Sequence, residues 1–211
     1  MQKLFKQWFG RTHMPLRLAL LVSSVILMGL CVAMFDTLQV GTDPCSSLSL
    51  GISRKIGISF GTMQLAFNAL LMIIVICIDW RGLGLGTLAN MVLCGYSADF
   101  FFPIIRSILP LSPSLPLRIG IFLPTMALFV TVVALYLLVD LGSAPYDALP
   151  LLIARHYFPR HMRLVRVLWD LGIVCLSLCF QGSVGIMTLL CIFFLGPVIG
   201  FFTDRFGAYF R

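Results

Sequence analysis

Leu141–Leu149 reads LGSAPYDAL, and Val40–Leu48 reads VGTDPCSSL. Gly41 falls on Gly142 at a shift of 101 residues, and the same shift places Thr42 on Ser143, Pro44 on Pro145 and Leu48 on Leu149 without a gap. The match continues with Leu50 on Leu151, Ile52 on Ile153 and Arg54 on Arg155. Further on, Gly84 meets Gly185, Thr87 and Leu88 meet Thr188 and Leu189, Gly95 meets Gly196, and Phe100 and Phe101 meet Phe201 and Phe202. Self-similarity held at one offset over this distance marks an internal duplication.

Composition sets the class. Of 211 residues, 60% are hydrophobic and 11% are charged, too few polar groups to cover a water-soluble globule. The expected fold is an all-α polytopic membrane protein whose main partner is the lipid bilayer. In such a chain the formal charge of +7 reports topology and gives no reason to expect nucleic acid.

Apolar runs divide the chain. A tail at 1–15 carries Lys3 and Lys6 beside Leu4, Phe5, Trp8 and Phe9, and reads either as a short amphipathic turn on the inner surface or as a plain basic tail. The first repeat is expected at 16–109, a Pro- and Ser-rich linker at 110–117, the second repeat at 118–204 and a second tail at 205–211. Leu16–Met34 is too long for a signal-peptide core and lacks a small-x-small cleavage site, so it reads as an uncleaved span. Thr62–Ile78 and Leu85–Ile105 follow it in the first half. Ile119–Val139, Leu164–Phe180 and Val184–Thr203 are their counterparts in the second. Between the first two spans of each half lies a shorter helix, Pro44 to about Ile56 and Pro145–Tyr157. A perpendicular crossing needs ~20 residues, so both are short.

If every segment crosses and the N-terminus is cytoplasmic, all fifteen Lys and Arg except Arg81 fall on the inner side, as the positive-inside rule asks. Asp36, Asp43, Asp79 and Asp140 then fall outside or near the outer face. The sequence therefore predicts about eight transmembrane segments, two of them short, as two parallel four-helix repeats related by an axis along the membrane normal. The predicted location is a bacterial inner membrane, multi-pass, with both termini cytoplasmic.

The short helices carry the chemical interest. A short helix after a Gly and Pro loop begins below the outer surface, where irregular backbone survives only against protein or a water-filled cavity. The two loops and first turns bring Thr42, Asp43, Ser46, Ser47, Gly142, Ser143, Pro145, Tyr146 and Asp147 into one candidate solute site, with helix N-termini presenting amide groups and positive dipole ends. A plainer reading has Asp43 as an N-cap and Ser46 and Asp147 serving the first turns. Asp147 falls on Ser46 at the repeat offset, so an ionisable role belongs to the second copy.

GSAPYDAL, with its partner GTDPCSSL, and the Gly- and Thr-containing stretches GLGLGTLAN and GSVGIMTLL resemble the duplicated motifs of the YczE/YyaS/YitT family of bacterial integral membrane proteins. The resemblance covers nearly all of the chain after about Leu16. It rests most on Gly142, Pro145, Tyr146 and Asp147, because the first copy departs with Cys45 and Ser46 in place of an aromatic residue and Asp. The family implies an architecture and no single activity.

Asp170 lies one turn from Arg166, and an intramembrane carboxylate is a functional candidate. An inner-end salt bridge explains it equally, and Asp99 near Arg106 reads the same way. Gln64, Asn68 and Asn90 suit interhelical hydrogen bonds, and GLGLG at Gly82–Gly86 suits close packing. The seven cysteines lie mostly in apolar spans and suit packing rather than a metal, so no metal or other cofactor is expected. The chain holds no Glu and no visible Ser, His and Asp set, so no enzyme is expected. The function expected is a small-solute transporter or permease with Asp147 as proton-coupling or substrate residue. The alternative is a membrane accessory or regulatory protein acting through the basic loop Arg155–Arg166. The solute is not specified by the sequence, and a homo-oligomer stays open.

Overall fold

A computed structural model describes residues 14–110 and 114–195, and among these residues there are eight helices and no strand. α1 is Met14–Thr37, α2 Pro44–Ile56, α3 Phe60–Ile78 and α4 Leu85–Ile108; α5 is Leu115–Leu138, α6 Pro145–Tyr157 and α7 Met162–Cys179, and α8 starts at Ile186. Four of them, α1, α3, α4 and α5, are long and apolar enough to cross a membrane. Outward-facing Leu70, Ile73, Leu168 and Leu178 are exposed, a surface that suits hydrocarbon and not water. The expected basic tail, the end of the eighth segment to Thr203 and the tail at 205–211 lie outside the described residues.

The boundaries follow local chemistry. Asp43 caps α2 by accepting the Ser46 N–H at 3.0 Å, Pro44 takes the first helical position, and Gly57 closes the helix at φ 73, the left-handed conformation that glycine adopts most cheaply. Pro145 opens α6 in the same way. Both α4 and α8 contain a π-helical turn, Asn90–Cys94 and Cys191–Leu195, at positions that coincide under the repeat offset.

Helix directions come from which residues touch. A side chain added at Gly29 of α1 would meet Cys94, Ser97 and Ala98 of α4, and Asp36 at the end of α1 lies 3.5 Å from Arg106 at the end of α4. α1 and α4 are therefore parallel. α5 runs against α1: Arg17 Nη1 donates to the Val139 carbonyl at 3.0 Å, and Phe35 packs on Phe122 at 5.9 Å between ring centroids. α3 runs against α4, since Phe60 packs on Phe102 while the Gly61 N–H reaches Asp99 at 2.8 Å.

These directions correct the predicted topology. Eight successive crossings would set α4 antiparallel to α1, and parallel repeats would give α1 and α5 one direction. Both relations are reversed. The cause is α2, which leaves the end of α1 and returns to it: Arg54 Nη2 lies 2.6 Å from Asp36, although the sequence puts those residues on opposite sides. α6 behaves likewise at the other face. Leu152, Arg155 and His156 at its C-terminal end share a surface pocket with Ile78, Asp79 and Trp80 at the end of α3. Below, the near face is the one where α1 starts and the far face the one where it ends.

The glycine turns lock the two halves crosswise. Gly41 (φ 85) carries its turn onto the start of α8, where Met187 N donates to Val40 O at 3.0 Å and Thr188 Oγ1 to Thr42 O at 2.6 Å. Gly142 (φ 105) carries its turn onto the start of α4, where Gly86 N donates to Leu141 O at 2.7 Å and Thr87 Oγ1 to Ser143 O at 2.8 Å. A Cβ at Gly41 or Gly142 would strike backbone, as would one at Gly84 or Gly86, so within GLGLG the expected close packing is supplied by Gly84 and Gly86, while Gly82 faces open space.

Candidate functional site

Because α2 and α6 approach from opposite faces, their N-terminal turns meet inside the helix bundle around a cavity of about 490 Å³. Asp43, Cys45 and Ser46 of α2 line it from one side, and Ser143, Tyr146 and Asp147 at the start of α6 from the other. Gln64 and Asn68 of α3, Asn90 of α4 and Arg166 and Asp170 of α7 add further polar side chains to its wall. At its near-face end the lining includes exposed Met162 and Arg163. Two helix N-termini aimed at one interior volume concentrate positive dipole ends there, and Asp43 and Asp147 answer them.

The second-half wall is a connected ionic network. Arg166 donates from Nη2 to Asp147 Oδ1 at 2.8 Å and from Nε to Asp170 Oδ2 at 3.1 Å, while Tyr146 Oη donates to Asp170 Oδ1 at 2.6 Å. The guanidinium also sits over the Tyr146 ring, 5.5 Å from its centroid, a favourable cation–π placement. The Asp170 side chain is only 5% exposed, and that of Asp147 is 36% exposed. One cation is thus shared by a sealed carboxylate and a cavity-facing one. The arrangement can release Asp147 without stranding Arg166, because Asp170 still holds the guanidinium.

A family model described as "Family of unknown function (DUF6198)" matches residues 15–204. The chain belongs to this family. The chain is 25% identical over 178 residues to "Uncharacterized protein YyaS" of Bacillus subtilis (strain 168), covering 84% of this chain and 88% of that protein. It is 26% identical over 187 residues to an "Uncharacterized protein" of Haemophilus influenzae, covering 89% and 83%. No solved structure matches the chain.

Within this DUF6198 chain, five of the nine expected site residues, Asp43, Ser46, Ser143, Tyr146 and Asp147, line the cavity. The other four are built into its frame. Thr42 is fully buried against α8, and Ser47 Oγ shares a 2.7 Å hydrogen bond with Ser177 that ties α2 to α7. Gly142 shapes its turn and Pro145 opens α6. The predicted Arg166–Asp170 bridge is present, but it lies in the cavity wall and includes Asp147. Asp99 is not paired as predicted: it accepts the Gly61 N–H, and Arg106 turns to Asp36. Asn68 bonds across helices as expected: its Nδ2 donates to Cys45 Sγ of α2 at 4.0 Å, and also to the Gln64 carbonyl of its own helix at 3.0 Å. The signal for Arg166 and Gln64 was their charge or polarity within apolar helices, and it becomes specific only when the half-turned helices bring them together.

Proposed function

We propose that this protein is a small-solute transporter of the bacterial inner membrane, with its binding site in the cavity where α2 and α6 begin. The observation that carries the reading is the meeting of two short-helix N-termini in an interior polar cavity. Discontinuous helices that end against a midplane site are a recurrent way for transporters to bind solute. In this reading each half contributes three crossings and one half-crossing helix, and the two repeats have inverted topology about an axis in the membrane plane. Antiparallel α1 and α5, the returns of α2 and α6, and the matching turns at Gly41 and Gly142 support it. The near face is cytoplasmic: Lys3, Lys6 and Arg11 precede α1, and Arg155, Arg160 and Arg163 flank the loop from α6 to α7. Arg54 and Arg106 on the far face are drawn to Asp36, which lowers the positive charge there.

Asp147 is the coupling residue of this scheme. Protonation would free Arg166 to bind Asp170 alone, and deprotonation would draw it back, so proton uptake and the geometry of the α6–α7 contact are linked. The test is solute-induced current in proteoliposomes across a panel of small cations, anions and neutral solutes. Asp147→Asn should abolish proton-driven current with the protein still folded, and Ser46→Ala should do less. If both variants carry wild-type current, the paired turns are structural corners. The exposed Tyr157 and Phe158 beside Arg155 and Arg160 would then favour the accessory-protein reading, through contact with a partner or anionic lipid.

A further inference from the structure

The two walls of the cavity differ in what they leave unsatisfied. On the second-half wall the guanidinium, both carboxylates and the Tyr146 hydroxyl all have partners. On the first-half wall, Gln64 Oε1 and Asn68 Oδ1 are buried without any hydrogen-bond partner, in residues only 4% and 1% exposed. Leaving such an atom unpaired costs about 1–3 kcal/mol, and orphaned buried atoms in a cavity wall point to a missing ligand. Turning the Asn68 amide over does not remove the problem. Its Nδ2 bonds the Gln64 carbonyl at 3.0 Å, and a flip would set two acceptors against each other. The same wall carries the Asp43 carboxylate, which uses Oδ2 to cap α2.

We infer that Asp43, Gln64 and Asn68 form a subsite for the ammonium group of a small primary amine. A primary ammonium brings one positive charge and three N–H donors; the wall offers one carboxylate and two orphaned amide oxygens. An anion at this subsite would face the Asp43 carboxylate and the two amide oxygens, and Arg166 is already engaged by Asp147 and Asp170. Neutral amides would satisfy the oxygens but leave the carboxylate without a counter-charge. The assignment specifies the solute class of the transporter proposed above and rests on that reading for its setting in the membrane.

The experiment measures methylammonium binding to the purified full-length protein by titration calorimetry, with tetramethylammonium and acetate as controls. Methylammonium should bind and the controls should not, since tetramethylammonium has the charge without N–H donors. Asn68→Leu, close in size but without the acceptor, should weaken binding at least tenfold. Asn68→Asp should retain or tighten it. Should the leucine variant fail to fold, Asp43→Asn keeps a helix-capping acceptor and removes the charge, and should weaken binding likewise. Equal binding of the two cations, wild-type binding by the variants, or no methylammonium binding would overturn the subsite. Uptake of radiolabelled methylammonium into proteoliposomes separates the two proposals. Asn68-dependent binding without uptake would leave the subsite standing and remove the transporter, whereas uptake indifferent to Asn68→Leu would do the reverse.

Discussion

Replacing Arg166 by Met removes the shared cation and keeps most of the side-chain volume. Its two partners should respond differently. Asp170 is 5% exposed and would keep only the Tyr146 hydroxyl; stranding one member of a buried ion pair costs about 3–5 kcal/mol. Asp147 is 36% exposed to the cavity, where solvent can replace the guanidinium, so this second contact is worth about 0.2–1 kcal/mol. Arg166→Met should therefore lower the melting midpoint by roughly 6–20 °C, taking ~2–4 °C per kcal/mol for a chain of this size. Asp147→Asn should lower it by only about 0.4–4 °C on the same scale. The double variant Arg166→Met with Asp170→Asn removes the stranded charge and should recover most of the loss. Thermal unfolding followed by tryptophan fluorescence in detergent reads all three, with Trp169 beside Tyr146 as a local reporter. Equal melting of Arg166→Met and Asp147→Asn, or no recovery in the double variant, would refute the claim that burial of Asp170 makes the network rigid.

Two further outcomes test the architecture. Cysteines introduced singly at Ile58, just after α2, and at Arg160, between α6 and α7, should react with an impermeant thiol reagent from opposite sides of the membrane in a cysteine-free background; labelling from one side would restore the eight-crossing topology. Gly57 and Gly41 both adopt positive φ, but nothing lies within 4 Å of a Cβ at Gly57, whereas one at Gly41 would strike the Gly185 backbone. Gly57→Ala should cost only the conformational strain of about 1–2 kcal/mol, and Gly41→Ala clearly more, measured as melting midpoints.

The short helices, the cap of α2 and the apolar class were legible because each is written in local spacing: Asp43 and Pro44 open α2, and Gly57 closes it. Five residues that line the cavity were legible from the motif itself. Topology was not. The positive-inside rule counts charges and assumes they face lipid headgroups, yet Arg54 and Arg106 are drawn to Asp36 by a contact that no sequence window contains. The same limit hid Arg166 from the site, since its tie to Asp147 depends on α6 turning back. Gln64 and Asn68 read as helix-packing residues, and Asn68 does bond α2 through its Nδ2; only the unpaired Gln64 Oε1 and Asn68 Oδ1 set them apart in three dimensions.

The crosswise docking of the glycine turns has a consequence for how the chain is made. The Gly41 turn is synthesised about 150 residues before Thr188 and the rest of its dock, so at ~5–20 residues per second it waits roughly seven to thirty seconds. During that interval the carbonyls of Val40 and Thr42 lack the partners that Met187 and Thr188 later supply. The first half must enter the membrane unfinished, and the nascent protein then needs either the insertion machinery or bound water to shelter the open turn. Truncation after the first repeat should consequently yield not a smaller stable protein but a degradation substrate, and co-expression of the two halves should rescue both.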